Sequence, residues 1–245
     1  MRRAEHAFVA EGAKLLEAAL DARAPIEGVY RAPEALESRA TQALLAAAGA
    51  AGIRVFGLGR GVMERVADAT TPQPVCAVVG MLDVPLEEVL AASSLLVCVD
   101  VRDPGNLGAI VRSADAAGVG GVVCCGTSVD LYNPKTVRAS AGSCFHVPLV
   151  VVEDPRALLA RLREAGFRLL GTVARGGTDY ADARASGKVA LVLGNEAQGL
   201  DPALSAELDE LVTIPMAGRA ESLNVAMAAT VLSFDLARRR RAAGA

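Results

Sequence analysis

Val189-Ala-Leu-Val-Leu193-Gly194-Asn195-Glu196-Ala197-Gln198-Gly199 joins an unbroken apolar run to a loop with a glycine at each end. A strand that is apolar at every position, rather than at alternate ones, is buried on both faces, and such strands belong to parallel sheets covered by helices. Leu95-Leu-Val-Cys-Val99 has the same character. Around these two runs the spacing predicts helix 107–117, strand 121–125, helix 134–140, strand 147–151, helix 155–165, strand 167–173, strand 211–214 and helix 222–240. The second half of the chain is therefore expected to be α/β with a parallel sheet, and in such sheets ligands sit beyond the carboxyl ends of the strands.

The first half alternates on a smaller scale. Residues 8–20 read as a helix with Leu15, Leu16, Ala19 and Leu20 on one face. A strand at 26–30, a helix at 34–48, a strand at 53–57, a short helix at 61–67 and a strand at 75–80 follow, which describes a small α/β sandwich. The pattern pauses at Leu82-Asp-Val-Pro85. The expected division is a first domain over 1–82, a linker with a short helical segment over 83–93, and a second domain over 94–245.

A chain of 245 residues with 52% hydrophobic content can bury a core of ordinary size. Aromatic residues are only 3% and tryptophan is absent, so stacking platforms for single-stranded nucleic acid are expected to be scarce, leaving charge and backbone to grip any RNA. The net charge of -3 argues against a broad electropositive surface. Basic clusters stand near the ends, Arg2-Arg3 and Arg238 to Arg241, and read as solvated tails or local patches. Cys76, Cys98, Cys124, Cys125 and Cys144 are odd in number and form no Cys-x-x-Cys pair, so reduced core thiols are expected. With His6 and His146 the only histidines, no metal site is expected. No run of eighteen apolar residues and no signal peptide is evident, so a cytoplasmic protein without a membrane span is expected.

Three loops follow strands and are rich in Gly, Asn, Asp and Glu. In the first, Asp100-Val-Arg-Asp-Pro-Gly-Asn-Leu-Gly-Ala-Ile-Val-Arg112, Asn106 suits a helix N-cap, and Gly105 and Gly108 allow close approach to the backbone. The second, Gly194 to Gly199, has the glycine spacing of a phosphate loop but continues Leu200-Asp201 instead of Lys-Ser/Thr, so that reading fails. Gly57-Leu-Gly-Arg-Gly-Val62 fails the dinucleotide fingerprint as well, its third glycine falling one position early. In the third loop, Ile214-Pro-Met-Ala-Gly-Arg-Ala-Glu-Ser-Leu-Asn224, Pro215 stops ladder pairing and Gly218 frees the turn. Either Ser222 or Asn224 suits the cap of a helix along which Leu223, Met227, Val231 and Phe234 recur at helical spacing.

In this order, Asn106 with Arg112, then Gly194-Asn-Glu196, then Ile214-Pro-Met216 with Ser222-Leu-Asn224 resemble the three motifs of the SpoU/TrmH family of RNA ribose 2′-O-methyltransferases, part of the SPOUT superfamily. The resemblance spans residues 94–240. Residues 1–80 resemble the RNA substrate-binding domain of the family's ribosomal-RNA members, an α/β/α unit like a small ribosomal protein. The basic segment usual ahead of Phe8-Val-Ala-Glu-Gly12 is mostly missing here.

The resemblance implies a deep trefoil knot in the second domain and a homodimer with helix 223–236 in its interface. It implies S-adenosylmethionine as the cofactor, held in a bent form by Leu193, Gly194, Asn195, Gly199, Ile214, Met216, Ser222 and Leu223. The implied catalytic group is Arg112, Asn106, Glu196, Ser222 and Asn224, with Arg102, Lys135 and Arg138 as RNA contacts. Arg112 matches the arginine proposed in the family as general base. A guanidinium, which holds its proton too tightly to act as a base, is better suited to holding a phosphate and stabilising oxyanion character. The implied reaction is transfer of a methyl group to a ribose 2′-hydroxyl of structured RNA, most specifically 23S ribosomal RNA, in a housekeeping or antibiotic-resistance role. The alternative is a non-catalytic RNA-binding or ribosome-assembly protein that keeps the fold.

Overall fold

The computed structural model describes residues 5–67 and 71–243, so Arg2-Arg3 lies outside the described residues. Phe8 and Ala10 are buried while Val9 between them is exposed, a period of two that makes Ala7–Glu11 a strand, β1. The helix expected over 8–20 starts later than that. Gly12 at φ 105° turns the chain, and helix α1 is Ala13–Asp21, which buries Leu15, Leu16 and Ala19 as the spacing predicts. Then come β2 (Ile26–Arg31), a 3-10 turn at Pro33–Glu37, α2 (Arg39–Ala50), β3 (Val55–Gly57), α3 (Met63–Val66) and β4 (Val75–Gly80). The sheet order is β1-β4-β2-β3, with β4 antiparallel to both neighbours and β3 parallel to β2. α1 and α2 cover one face, where Leu16, Ala19 and Ala48 are fully buried. On the other face the second helical layer of an α/β/α unit is reduced to α3, whose Met63 packs on Ala32 and Cys76.

The second half comprises α4 (Leu86–Val89), β5 (Ser94–Val99), α5 (Pro104–Ala117), β6 (Val122–Cys125), α6 (Pro134–Ser140), β7 (Leu149–Val152), α7 (Pro155–Glu164), β8 (Phe167–Thr172), β9 (Thr178–Asp179), β10 (Lys188–Leu193), α8 (Pro202–Ser205), β11 (Glu210–Thr213) and α9 (Val225–Ala242). Seven strands form one sheet in the order β7-β6-β5-β10-β8-β11-β9, parallel throughout. The two all-apolar runs are its central pair, with Leu95 beside Ala190 and Cys98 beside Leu193. Every residue of β5 is buried, and each fully buried Leu or Val contributes about 1.5–3 kcal/mol. β9 and α8 are too short to leave a periodic signal and have no counterpart in the sequence reading.

The two sheets share a packed seam. Phe8 of β1 meets Tyr132 and Phe145 at ring-centroid distances of 4.8 and 6.1 Å. The Tyr132 hydroxyl accepts from the Leu82 N–H at 2.7 Å and donates to Asp83 at 3.0 Å. Burial and the neighbouring Asp83 push that phenol far up from its ordinary pKa. The segment 83–93, expected as a linker, is itself docked. Val84 N–H donates to Leu149 O at 2.8 Å, and Val89 is buried.

Two arginines of the terminal run, Arg239 and Arg240, are anchored, while Arg238 and Arg241 are exposed. Arg239 donates to Tyr180 O, Ala181 O and Ala183 O at 2.6, 2.7 and 3.0 Å. Arg240 donates to Ser93 Oγ, Ser94 Oγ, Ala117 O and Gly118 O, the last two being carbonyls at the end of α5. Both arginines fasten α9 to the body of the sheet.

Candidate active site

All three loops singled out above emerge at the carboxyl ends of β5, β10 and β11, so the central strands bring them together. After β5, Asp100 takes φ 54°, and its carboxylate accepts from the N–H and hydroxyl of Thr127 at 2.6 and 2.7 Å. α5 begins earlier than the spacing predicts. Its cap is Asp103, which accepts from Asn106 N–H at 2.9 Å, and Pro104 fills the first turn. Asn106 is thus not the cap, and its side chain is free for other partners. Gly108 gives α5 its contact with α6: a Cβ there would stand 2.4 Å from Thr136 O.

After β10, Asn195 and Gly199 exchange backbone hydrogen bonds at 3.0 and 2.9 Å, closing a tight loop. A Cβ on Gly194 would lie 2.4 Å from the Gly199 carbonyl carbon, and Gly199 itself adopts φ 70°. Asn195 fixes the loop from within, accepting from Ala197 and Gln198 N–H at 2.9 and 3.0 Å and donating to Asp100 O at 2.9 Å. Glu196 then reaches the first loop. Its carboxylate accepts from Arg102 N–H at 3.2 Å, Asp103 N–H at 3.0 Å and Asn106 Nδ2 at 3.0 Å. Partial burial works to raise its pKa, but these donated bonds win and hold the carboxyl below the ordinary glutamate range.

The third loop closes the constellation. Asn224, not Ser222, caps α9, its Oδ1 accepting from Ala226 and Met227 N–H at 2.9 and 3.4 Å. Its Nδ2 donates to Asn106 Oδ1 at 2.9 Å. A carboxylate only accepts, so Glu196 fixes the orientation of the whole chain. α9 donates to Asn224, Asn224 to Asn106, and Asn106 to Glu196.

Two adjoining clefts share the 195–198 loop as their wall. One, of about 460 Å3, lies between this loop, residues 172–175 after β8, and the third loop. Of the residues expected to hold a cofactor it gathers Gly194, Asn195, Gly199, Ile214, Met216, Ser222 and Leu223. Leu193 does not line it, being fully buried in the core. The other, of about 750 Å3, is lined by Arg102, Asp103, Asn106, Glu196 and Asn224 among others. Thr172, Ala174 and Arg175 were missed by the sequence reading, although the rule of carboxyl-end loops applies equally to β8.

The remaining expected site residues are scattered. Arg112 is exposed, lines neither cleft, and its side chain has no hydrogen-bond or ion-pair partner among the described residues. On α5 it stands about 9 Å beyond Asn106 and on another side of the helix. Lys135 lies outside the lining of the second cleft but 3.5 Å from Asp103, which belongs to it, and Arg102, also in that lining, donates to Thr127 Oγ1 at 3.2 Å. Arg138 is 3.5 Å from the buried Glu11 of β1, so it braces the seam between the sheets. No cluster of His, Cys, Asp or Glu able to hold a metal is found among the described residues, and no helix there is long and apolar enough to cross a membrane.

Residues 93–234 match the profile of the SpoU rRNA Methylase family. The chain belongs to the SpoU rRNA methylase family. Residues 1–77 match the MRM3-like substrate binding domain. Over 234 residues, 94% of this chain and 88% of its relative, the sequence is 35% identical to the 23S rRNA (guanosine(2553)-2′-O)-methyltransferase RlmP of Bacillus subtilis. Over 143 residues, 56% of this chain and 50% of the relative, it is 43% identical to the 23S rRNA (uridine(2479)-2′-O)-methyltransferase of Streptomyces viridochromogenes. Among solved structures, the SpoU methyltransferase AviRb from Streptomyces viridochromogenes in complex with AdoMet superposes with TM-score 0.86 at 30% identity, covering 98% of this chain and 92% of that one. The AdoMet-bound rRNA methyltransferase from Sinorhizobium meliloti gives 0.83 at 33% identity, covering 98% and 89%. The resemblance of this SpoU-family chain drawn from three short motifs is borne out, as is the α/β fold with its parallel sheet.

Proposed function

We propose that this SpoU-family chain transfers a methyl group from S-adenosylmethionine to the 2′-hydroxyl of a ribose in 23S ribosomal RNA. The observation that carries the reading is the chain of bonds Glu196–Asn106–Asn224, which ties the three motif loops around two joined clefts. The smaller cleft suits the cofactor. Its volume falls in the range of about 300–1,000 Å3 usual for small ligands, its walls include Val212, Ile214, Met216 and Leu223, and the close Gly194–Gly199 backbone contact keeps the 195–198 loop that forms one wall tight. Bound S-adenosylmethionine supplies a methyl group on a sulfonium leaving group. The protein's contribution is alignment, which is worth about 7–11 kcal/mol when geometry is right.

In this reading Asn106 and Asn224 are held rigid by their mutual bond and by Glu196, and line the larger cleft where the ribose enters. Ser222 stands at the mouth of the cofactor cleft, and Arg102 and Lys135 meet phosphates at the edge of the RNA cleft. Arg112 holds a phosphate and stabilises the oxyanion, its guanidinium remaining charged throughout. It reaches a cleft only in a homodimer. Met227, Val231 and Phe234 are 61%, 37% and 45% exposed on one side of α9, and Ser113 of α5 meets Thr230 of α9 at 2.6 Å. In this reading Arg112, next in sequence to Ser113, and the stripe beside Thr230 share one outer surface, which a second copy covers. Residues 1–82 serve as the RNA-binding domain, 94–245 carry the transfer and the knot, and the segment between them is a docked connection.

The reading is tested by incubating the purified protein with methyl-labelled S-adenosylmethionine and deproteinised 23S ribosomal RNA. Label in ribose 2′-O-methyl nucleotides is expected, together with calorimetric binding of the cofactor. Absence of both overturns it.

A further inference from the structure

The outer face of the four-stranded sheet is left open where α3 ends. Register and alternation set its side chains in rows across the strands. One row is Glu11, Cys76, Tyr30 and Phe56; the next is Val9, Val78, Gly28 and Arg54. Met63 covers Cys76 and the adjoining part of Tyr30, and Glu11 at the β1 end is buried beside Gln73 and Arg138. Open surface remains at Val9, 44% exposed, at the half-buried Val78 and at the β3 end of the first row, where Phe56 is 40% exposed.

Tyr30 and Phe56 are stacked, with centroids 5.1 Å apart and planes 20° from parallel. Phe56 also leans across Gly28, where a Cβ would come within 3.3 Å of its Cε2. The absent side chain lets the ring lie over the sheet, backed by Tyr30 and open on its outer side. In a chain with 3% aromatic residues, leaving one stacked pair on a bare strand face is a costly exposure unless something covers it. The rim indicates the charge of what covers it. Arg54, Arg60 and Arg65 are exposed with no side-chain hydrogen bond or ion pair among the described residues, and Glu64 is the only acid between residues 54 and 67.

We infer that this face stacks an unpaired RNA base on Phe56, with the flanking phosphates taken by Arg54 and Arg60. Every base has a π-face, so the platform is tolerant of sequence but needs a single strand, which a paired duplex does not offer. An open sheet face suits this use because strand alternation brings aromatic side chains of neighbouring strands out on the same side, where bases stack on them. The inference rests on the proposal that RNA is the substrate. It adds a second contact, on the four-stranded sheet instead of the seven-stranded sheet that carries the cofactor cleft, and it amends the expectation that the grip is all charge and backbone.

The chain has no tryptophan, so Phe56→Trp introduces a single tryptophan at the platform, whose emission is excited selectively over that of the three tyrosines. The full-length protein is titrated with a fluorescein-free 12-nucleotide oligouridylate and with a 12-base-pair RNA duplex. The single strand is expected to quench the fluorescence of Phe56→Trp and the duplex to leave it unchanged. Phe56→Leu, which keeps apolar area but loses the π-face, is expected to bind the same oligonucleotide, labelled, about tenfold or more weakly than wild type. Its melting temperature and cofactor affinity should be unchanged. Equal affinity of Phe56→Leu and wild type, equal quenching by duplex, or a change in oligomeric state in place of RNA affinity overturns the inference. Because cofactor binding is measured on the same variants, a failure of the methyltransferase reading shows as absent cofactor binding in wild type, independent of the stacking result.

Discussion

Asn224 Nδ2 donates to Asn106 Oδ1 across 2.9 Å, although 118 residues separate the two in sequence. Each amide is committed on both sides, Asn106 to Glu196 and Asn224 to the first turn of α9. The pair is a splice between the helix that opens the first motif and the helix that follows the third.

Asn224→Ala removes a helix cap and the splice together. The loss of the cap alone costs about 0.5–2 kcal/mol. Asn106→Ala leaves Glu196 two backbone donors and is expected to cost about 1 kcal/mol. The double variant should be less unstable than the sum of the singles, because the shared bond is counted twice. Denaturant melts of all four proteins give the coupling, and strict additivity would show that the bond contributes nothing.

Gly194→Ala is expected to weaken cofactor binding before it unfolds the protein. The added methyl would meet backbone of Gly199, not a side chain that can swing aside, so the loop between the clefts has to move. Calorimetry with S-adenosylmethionine should show affinity reduced by more than about tenfold, the equivalent of about 1.4 kcal/mol. Wild-type affinity would mean that the loop adjusts freely.

Glu196 has a folded-state pKa below its ordinary value of 4.5. A carboxyl depressed on folding adds stability at pH values above its unfolded pKa, and the contribution disappears as pH falls through the folded value. Wild type should therefore lose stability on acidification below about pH 4.5 more steeply than Glu196→Gln, and the two should differ by a constant amount near neutrality. Parallel acid-unfolding curves would place the stabilising bonds elsewhere.

Arg240→Ala should destabilise by about 1–3 kcal/mol, because it strips donors from the Ala117 and Gly118 carbonyls and from Ser93 and Ser94. The neighbouring Arg241→Ala, at an exposed position, should stay within about 0.5 kcal/mol of wild type. Thermal melts distinguish anchored arginines from a solvated run.

Met227→Glu with Phe234→Lys places charge on the exposed stripe of α9 and should convert the proposed homodimer to a monomer by sedimentation. If Arg112 serves the cleft of the other copy, mixing Arg112→Ala protein with Glu196→Ala protein restores transfer that neither has alone. No restoration, with mixed dimers demonstrated, would confine each site to one chain.

Much of this was legible because short-range physics left repeating marks. Runs without polar interruption marked the central strands, and Gly, Asn and Pro after them marked the loops. Asn106 as a cap was misread because Asp103 and Pro104 supply the same signal three and two positions earlier, and Asn106 is recruited by a partner far along the chain. The helix read over 8–20 failed because strand and helix there are separated by one glycine.

The sequence by itself determined the parallel α/β fold, the three loops and their family, since periodicity, turn chemistry and motif order are properties of neighbouring residues. Tertiary structure alone decided that Glu196, Asn106 and Asn224 form one bonded chain and that Arg138 braces a seam. It also decided that Arg112 stands apart from both clefts and that Phe56 lies on a bare sheet face. Those relationships depend on which strands become neighbours and which faces stay uncovered, and both are set by the packing of the whole chain.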